Sequence, residues 1–224
     1  MKFLFKIFLF SCIWSCTSKH KCSQLLIESK IRLQEALTYN DSLKALEKID
    51  KEIVHKVQCF DLLLLKANSY LMMDKLELAK KNYLFAFSMD TSNSFILYRI
   101  GIIYNYIEKY DSSIFFFEKA LLKKTSDGFV ADFNSLPSID DYQVSYNKII
   151  FEEAKSYYYW KKYDIALKGF NYCIENSSQL ADSYLFRGSI KLLHKKNKEA
   201  CDDFWQAKKY GNKDAMFYLI NNCR

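Results

Sequence analysis

An all-helical solenoid of antiparallel helix pairs is the fold class that this 224-residue sequence predicts, and three observations carry the prediction. A 34-residue pattern is written twice in tandem from Asn147 to Asp214: Ala154 falls over Gly188, Ala166 over Ala200, Phe170 over Phe204 and Cys173 over Ala207. A fixed period of this length marks stacked supersecondary units rather than one closed core. Glycine (5) and proline (1) are too scarce for a sandwich or barrel, which needs turn residues roughly every 8–12 positions. Half the residues are hydrophobic and 17% are aromatic, which excludes a disordered chain.

The amino terminus, MKFLFKIFLFSCIWSC, places Lys2 and Lys6 before an apolar run that ends in small residues and a cysteine. That order is expected of a secretory signal over residues 1–15. The uninterrupted stretch from Ile7 to Trp14 is far shorter than the roughly 20 residues that span a bilayer. Ile13-Trp14-Ser15-Cys16 resembles the lipobox of bacterial lipoproteins, which implies lipidation at Cys16 and anchorage to the bacterial envelope, in the periplasm or at the outer surface. Leu9-Phe10-Ser11-Cys12 fits the same loose pattern, but Cys16 is the one followed by polar Thr17, Ser18 and Lys19. An ordinary cleaved signal with an incidental cysteine is the alternative.

Residues 16–23 read as a polar tether. From 24 to 59 the pattern is helical, with Ile27 and Ile31, then Leu43, Leu46, Ile49 and Val54, at helical spacing and a break near Tyr39-Asn40-Asp41. Two helices acting as an amino-terminal cap or a degenerate repeat are expected, because terminal repeats drift from the pattern.

The 34-residue frame extends upstream to 60–93 and 94–127, which form one pair of repeats over 60–127, as 147–214 form another. Position 8 then holds Ala67, Gly101, Ala154 and Gly188, and position 20 holds Ala79, Ser113, Ala166 and Ala200. Position 24 holds Tyr83, Phe117, Phe170 and Phe204; position 27 holds Ala86, Ala120, Cys173 and Ala207. Small residues at 8 and 20 let two helices approach, and the ring at 24 fills the space beside them. Burying one such ring contributes about 1.5–3 kcal/mol once a neighbouring repeat covers it. Tyr70, Tyr104 and Tyr157 occupy position 11 in the first three copies.

This pattern resembles the tetratricopeptide repeat (TPR) over about 60–214. The family's proline near position 32 is missing from every copy, and so is the tryptophan often seen at position 4, so the match lies in the packing positions more than in the turns. The resemblance implies a right-handed α-solenoid. It also implies that partners lie along the concave face, at positions 2, 5, 9, 12 and 13 of each first helix. Across the middle of the array those positions give Tyr98, Asn105, Tyr106, Phe151, Lys155, Tyr158 and Tyr159, a surface suited to a peptide because tyrosine joins contact area to a hydrogen-bonding tip. Packing of several of these rings under neighbouring repeats is the alternative. The lysine–asparagine carboxylate clamp of some TPR domains is not expected, since Leu64 stands where it wants a lysine.

Between the repeat pairs, 128–146 fits no repeat. Gly128 is a helix stop, Ser138 or Asp140 could cap an early start to the next helix, and Phe129, Val130, Phe133, Leu136 and Ile139 make the insert apolar enough to fold back on the solenoid. At the far end Gly211 breaks the last repeat helix, and Ala215, Met216, Leu219, Ile220 and Cys223 predict a capping helix over 215–224 with one apolar face. The ending resembles those of exported bacterial TPR proteins, which implies that Cys201 and Cys223 meet there. Two free thiols are the expectation there, with a disulfide between them the alternative.

No catalytic constellation is present by motif: His20, His55 and His194 lie apart, there is no glycine-rich phosphate loop, and the cysteines lack zinc-site spacing. No cofactor, no metal and no enzymatic activity are expected. The acid pairs Asp140-Asp141, Glu152-Glu153 and Asp202-Asp203 read as helix-start charges or solvated faces. Removing residues 1–15 takes two lysines and no acid, so the net charge falls from +7 to +5; only four basic residues are arginines, and nucleic acid is not an expected partner. The expected function is a non-enzymatic, lipid-anchored scaffold that binds a peptide segment or partner protein on the concave face. The alternative is a structural subunit of an envelope assembly that uses end or convex surfaces, with sugar binding a weaker third.

Overall fold

The computed structural model describes residues 24–29, 31–32, 39–56, 60–123 and 144–223. The signal segment, the tether with Cys16, and the insert over 128–143 with Ser138, Asp140 and Asp141 lie outside the described residues. Among those described there are helices and turns and no strand. Residues 24–29 and 31–32 are helical. They are followed by α1 (Tyr39–Lys56), α2 (Phe60–Met72), α3 (Leu76–Met89), α4 (Ser94–Tyr106), α5 (Tyr110–Leu121), α6 (Tyr146–Tyr159), α7 (Tyr163–Glu175), α8 (Leu180–Leu193), α9 (Asn197–Lys209) and α10 (Ala215–Asn222). The described residues fall into two compact units, one up to Thr91 and the other from Ser92 onward.

In the first unit α2 pairs with α3 and α1 packs on α2. Leu46 and Ile49 are buried on α1, and Leu26 and Ser29 in the helical turns before it. Ile27 and Ile31 face outward, so the amino-terminal helix buries a face one residue away from the one its apolar spacing suggested. On α2 the Asn68 side chain is buried and its Oδ1 accepts the Tyr83 hydroxyl of α3.

In the second unit the hairpins α4–α5, α6–α7 and α8–α9 stack in order, and α10 closes on α9. All sixteen residues at positions 8, 20, 24 and 27 of the four repeats are buried. Within the second unit each hairpin holds one glycine at its closest approach. A Cβ at Gly101 would stand 2.7 Å from the Phe117 ring, and one at Gly188 would stand 2.8 Å from Phe204. In the middle hairpin, position 8 is Ala154, and the missing side chain is on the facing helix instead, at Gly169, whose Cβ would meet Ala154 Cβ at 2.6 Å.

The turn inside each hairpin has one geometry. Position 15 is left-handed in all four copies: Asp74 (φ 56°), Glu108 (58°), Lys161 (60°) and Lys195 (60°). Position 16 is lysine every time, and its N–H reaches back to the carbonyl of position 11: Lys75 to Tyr70 at 2.8 Å, Lys109 to Tyr104 at 2.9 Å, Lys162 to Tyr157 at 2.8 Å and Lys196 to Lys191 at 2.9 Å. This closes the carbonyls that a helix end leaves open.

Helix α5 ends at Leu121, before Gly128, and α6 starts at Tyr146 behind Ser145, whose hydroxyl accepts the Lys148 N–H at 3.3 Å. Ser145 is thus the cap of the described helix. Despite the 24 residues between them, α5 and α6 pack directly on each other. Ser113 and Ser156 meet across that seam, Oγ to Oγ at 2.9 Å, both buried, while Ser113 donates to the Gly101 carbonyl at 2.8 Å. At the end of the unit, α10 buries Ala215 and Leu219 and lays Tyr218 on Phe204 with ring centroids 4.8 Å apart. Met216 and Ile220, expected on its inner face, point outward with Phe217, because a period of 3.6 puts 215, 218–219 and 222 on one side.

Candidate partner-binding face

The first helices of the three hairpins in the second unit, α4, α6 and α8, are neighbours. Positions 2 and 5 are closed on α4, and position 5 is closed again on α6: Phe95 is 2% exposed, Tyr98 3% and Phe151 3%. Tyr98 and Phe151 are therefore core residues and leave the expected contact surface. The reason is visible in their partners. Tyr98 lies 6.0 Å from Phe117, and Phe151 lies edge-on to Phe170 at 6.0 Å and to Phe186 at 6.3 Å.

The other five sequence candidates remain at least partly accessible, and position 13 is the most open. Tyr106 (65% exposed), Tyr159 (46%) and Leu193 (55%) make a stripe across α4, α6 and α8, and position 13 of the first unit, Met72, is exposed as well. Asn105, Lys155 and Tyr158 are half-buried beside the stripe. Tyr158 is held edge-on by Phe186 (5.0 Å), Tyr159 (5.4 Å) and Tyr163 (5.8 Å), and is hydrogen-bonded to Ser189. Burial first, then the neighbouring phenols, raises its pKa.

Lys155 is the charged centre of the face. Its Nζ donates to Glu152 at 2.9 Å and lies 5.5 Å from the Phe151 ring centroid. Burial pulls the ammonium pKa down. The Glu152 carboxylate and its hydrogen bond, with the Tyr159 and Tyr106 hydroxyls behind them, outweigh that and leave it raised. Tyr106, Lys155 and Tyr159 are therefore one electrostatic neighbourhood, and Tyr110 stacks on Tyr159 at 6.3 Å. The face thus offers aromatic area and hydrogen-bond donors. Among the described residues no group of three or more histidines, cysteines or carboxylates is placed to hold a metal ion.

No protein-family model and no curated protein matches the sequence. Solved structures do match the fold. MamA 41-end from Desulfovibrio magneticus RS-1 superposes with a TM-score of 0.66 at 10% identity, over 84% of this chain and 94% of that one. PilF of Pseudomonas aeruginosa gives 0.62 at 15% identity over 91% and 82%, and apo RapI gives 0.64 at 17% over 87% and 56%. All three are TPR proteins. The chain has the TPR fold.

Two features of this TPR chain escape a reading of sequence alone. Arg187 of α8 joins three helices: Nε and Nη2 donate to the two Asp203 oxygens of α9 at 2.9 and 2.7 Å, and Nη1 donates to Asn171 Oδ1 of α7 at 2.8 Å. Lys191 adds a second contact to Asp203 at 2.8 Å. The hydrogen bond to Asp203 raises the guanidinium pKa against the opposing effect of burial. Asp203 and Glu152, expected on solvated faces, are both buried. One repeat earlier, the position of Arg187 is taken by Glu153 and that of Asn171 by Glu118. Burial, and then the Glu118 charge, pushes the Glu153 carboxyl up to about 7.

The cysteines among the described residues occupy two settings. Cys201 of α9 and Cys223 after α10 form a disulfide with Cα atoms 5.6 Å apart, joining the last repeat to its cap. Cys173 is a buried free thiol, its pKa pushed up to about 11 by burial, and so has the character of a small core residue.

Proposed function

We propose that this protein is a non-enzymatic interaction scaffold that takes a peptide segment of a partner protein on the first-helix face of α4, α6 and α8. The exposed Tyr106–Tyr159–Leu193 stripe carries the reading, since aromatic side chains left open on a rigid face are those most often central to binding. Lys155, Asn105 and Tyr158 flank the stripe and supply polar contacts. A photo-crosslinking residue placed at Tyr106 or Tyr159 should form adducts with a discrete partner in membranes, and one at Phe115, exposed on α5, should not. Adducts from Phe115 or Phe217 alone would overturn this docking face.

The outward apolar side of α10, with Met216, Phe217 and Ile220, favours a second reading, in which the protein packs end-on as a structural subunit of an envelope assembly. Export and anchorage at Cys16 complete the proposal and rest on the lipobox resemblance. Among the described residues no helix is long and apolar enough to cross a membrane. Labelled fatty acid should be incorporated into the native chain and not into Cys16→Ala; incorporation that survives the substitution points to Cys12 or to no anchor of this kind.

A further inference from the structure

We infer that the α6–α7 and α8–α9 turns together form an edge that docks on a bilayer surface bearing anionic phospholipids. The inference goes beyond the peptide-docking face and depends neither on that face nor on Cys16.

The two turns are neighbours, since the Tyr163 ring lies edge-on to the His194 ring with centroids 6.3 Å apart. From Trp160 to Ile165 and from His194 to Glu199 they carry Lys161, Lys162, Lys195, Lys196 and Lys198 against two carboxylates, Asp164 and Glu199. All five lysines are exposed, and among the described residues none of them is ion-paired; Glu199 is met instead by Lys191, at 3.9 Å. The surplus is local. In the preceding turn Glu108 and Asp111 outnumber Lys109, and at the other end of the same hairpins the exposed charges are Lys208, Lys209 and Lys213 against Glu175, Asp182 and Asp214.

This charge does not serve the fold. Lys162 and Lys196 occupy N-cap positions without a side-chain cap, where an ammonium opposes the positive end of the helix dipole. An outside anion relieves that repulsion.

Apolar company among the lysines selects a bilayer. Trp160 is 43% exposed and Ile165 44%, and Lys162 Nζ lies 5.4 Å from the Trp160 ring centroid. Tryptophan beside lysine suits the headgroup boundary, where the indole enters the apolar margin and the ammonium stays with phosphate. A nucleic-acid backbone gives such side chains no apolar layer, and the edge has no arginine for phosphate or guanine. None of the five ammoniums is fixed by an ion pair, which suits a fluid headgroup layer better than the fixed carboxylates of a protein.

The test reconstitutes the full chain into vesicles of phosphatidylcholine, alone or mixed with phosphatidylglycerol, and reads tryptophan quenching by lipids brominated just below the headgroups. With Trp14→Phe and Trp205→Phe, Trp160 is the single tryptophan. Its quenching should be at least roughly fivefold stronger in the anionic vesicles, the gain expected from even one lysine near such a surface. Salt at about 0.5 M should remove the difference, because charges are then screened within a few ångströms. Lys161→Gln, Lys162→Gln, Lys195→Gln and Lys196→Gln together should abolish the quenching with helicity unchanged. The same change at Lys123, Lys208, Lys209 and Lys213 should leave it intact. With Trp14→Phe and Trp160→Phe instead, Trp205 should stay unquenched in both vesicles. Equal quenching in neutral and anionic vesicles, quenching that survives loss of the four edge lysines, or equal quenching of Trp205 overturns the inference. So does an unquenched Trp160 in both; if soluble polyglutamate then binds through the four lysines, the edge belongs to an acidic protein.

Discussion

At Asp203 a carboxylate that sequence places on a solvated face is taken into the interior, where both its oxygens accept from Arg187. Removing one member of such a pair leaves a charge without its counter-ion in a poorly hydrated place. Asp203→Ala should therefore lower stability by about 3 kcal/mol in urea titration, and Arg187→Leu with Asp203→Leu should recover a large part of it. Glu153 gives the opposite case. Its pKa is raised from 4.5 to about 7 in the folded chain, so its contribution is fully present below the unfolded value and is lost as pH rises through 7. The thermal midpoint should fall between pH 5 and 8, and Glu153→Gln should flatten that dependence; an unchanged slope would rule out Glu153 as its source. The two acid doublets also explain what was illegible. Adjacent residues on a helix point about 100° apart, so Asp203 turns inward while Asp202 stays exposed, and a doublet read as a unit hides this. Tyr98 and Phe151 were lost to the core for a similar reason: the repeat position fixes which way a side chain points, not whether other rings already cover it.

For single elements, the packing positions were legible because they demand a residue type. Small residues at 8, 20 and 27 and a ring at 24 recur in every copy, and all are buried. Gly101→Ala would drive a methyl to 2.7 Å from the Phe117 ring, and should destabilise by about 1–3 kcal/mol, measured by chemical denaturation. The turn was legible only in retrospect, through lysine at position 16. Its left-handed residue at 15 is never glycine, so a backbone preference goes unused four times. Lys161→Gly should stabilise by about 0.5–1 kcal/mol; a loss would mean that the lysine side chain contributes more than the backbone strain removes. The capping helix shows the limit of periodicity for short elements. Over eight residues, two overlapping apolar faces fit the pattern almost equally well, and packing on Phe204 selects the one through Tyr218 and Leu219.

Across the second unit, the repeat frame predicted the order of hairpins because each contacts only its neighbours, and it was silent on segments that have no counterpart in the frame. The Cys201–Cys223 bond closes the free end of the stack over a separation of 22 residues. A loop of that length is worth about 3 kcal/mol in the chain-entropy account. Cys201→Ser with Cys223→Ser should lower the thermal midpoint and abolish its response to reductant; an identical midpoint would show that the bond is not formed in solution. The α5–α6 seam has a different consequence. These helices are packed, and share buried Ser113 and Ser156, although 24 residues separate Leu121 from Tyr146 in sequence. In general, lengthening a connection between packed elements adds little entropic penalty, about 0.6 kcal/mol per doubling. The two flanking hairpins are held together by their surfaces rather than by their connection. A protease site engineered between residues 124 and 143 should therefore yield two fragments that co-elute as one particle, and the same point should accept a foreign domain without disturbing the helices on either side.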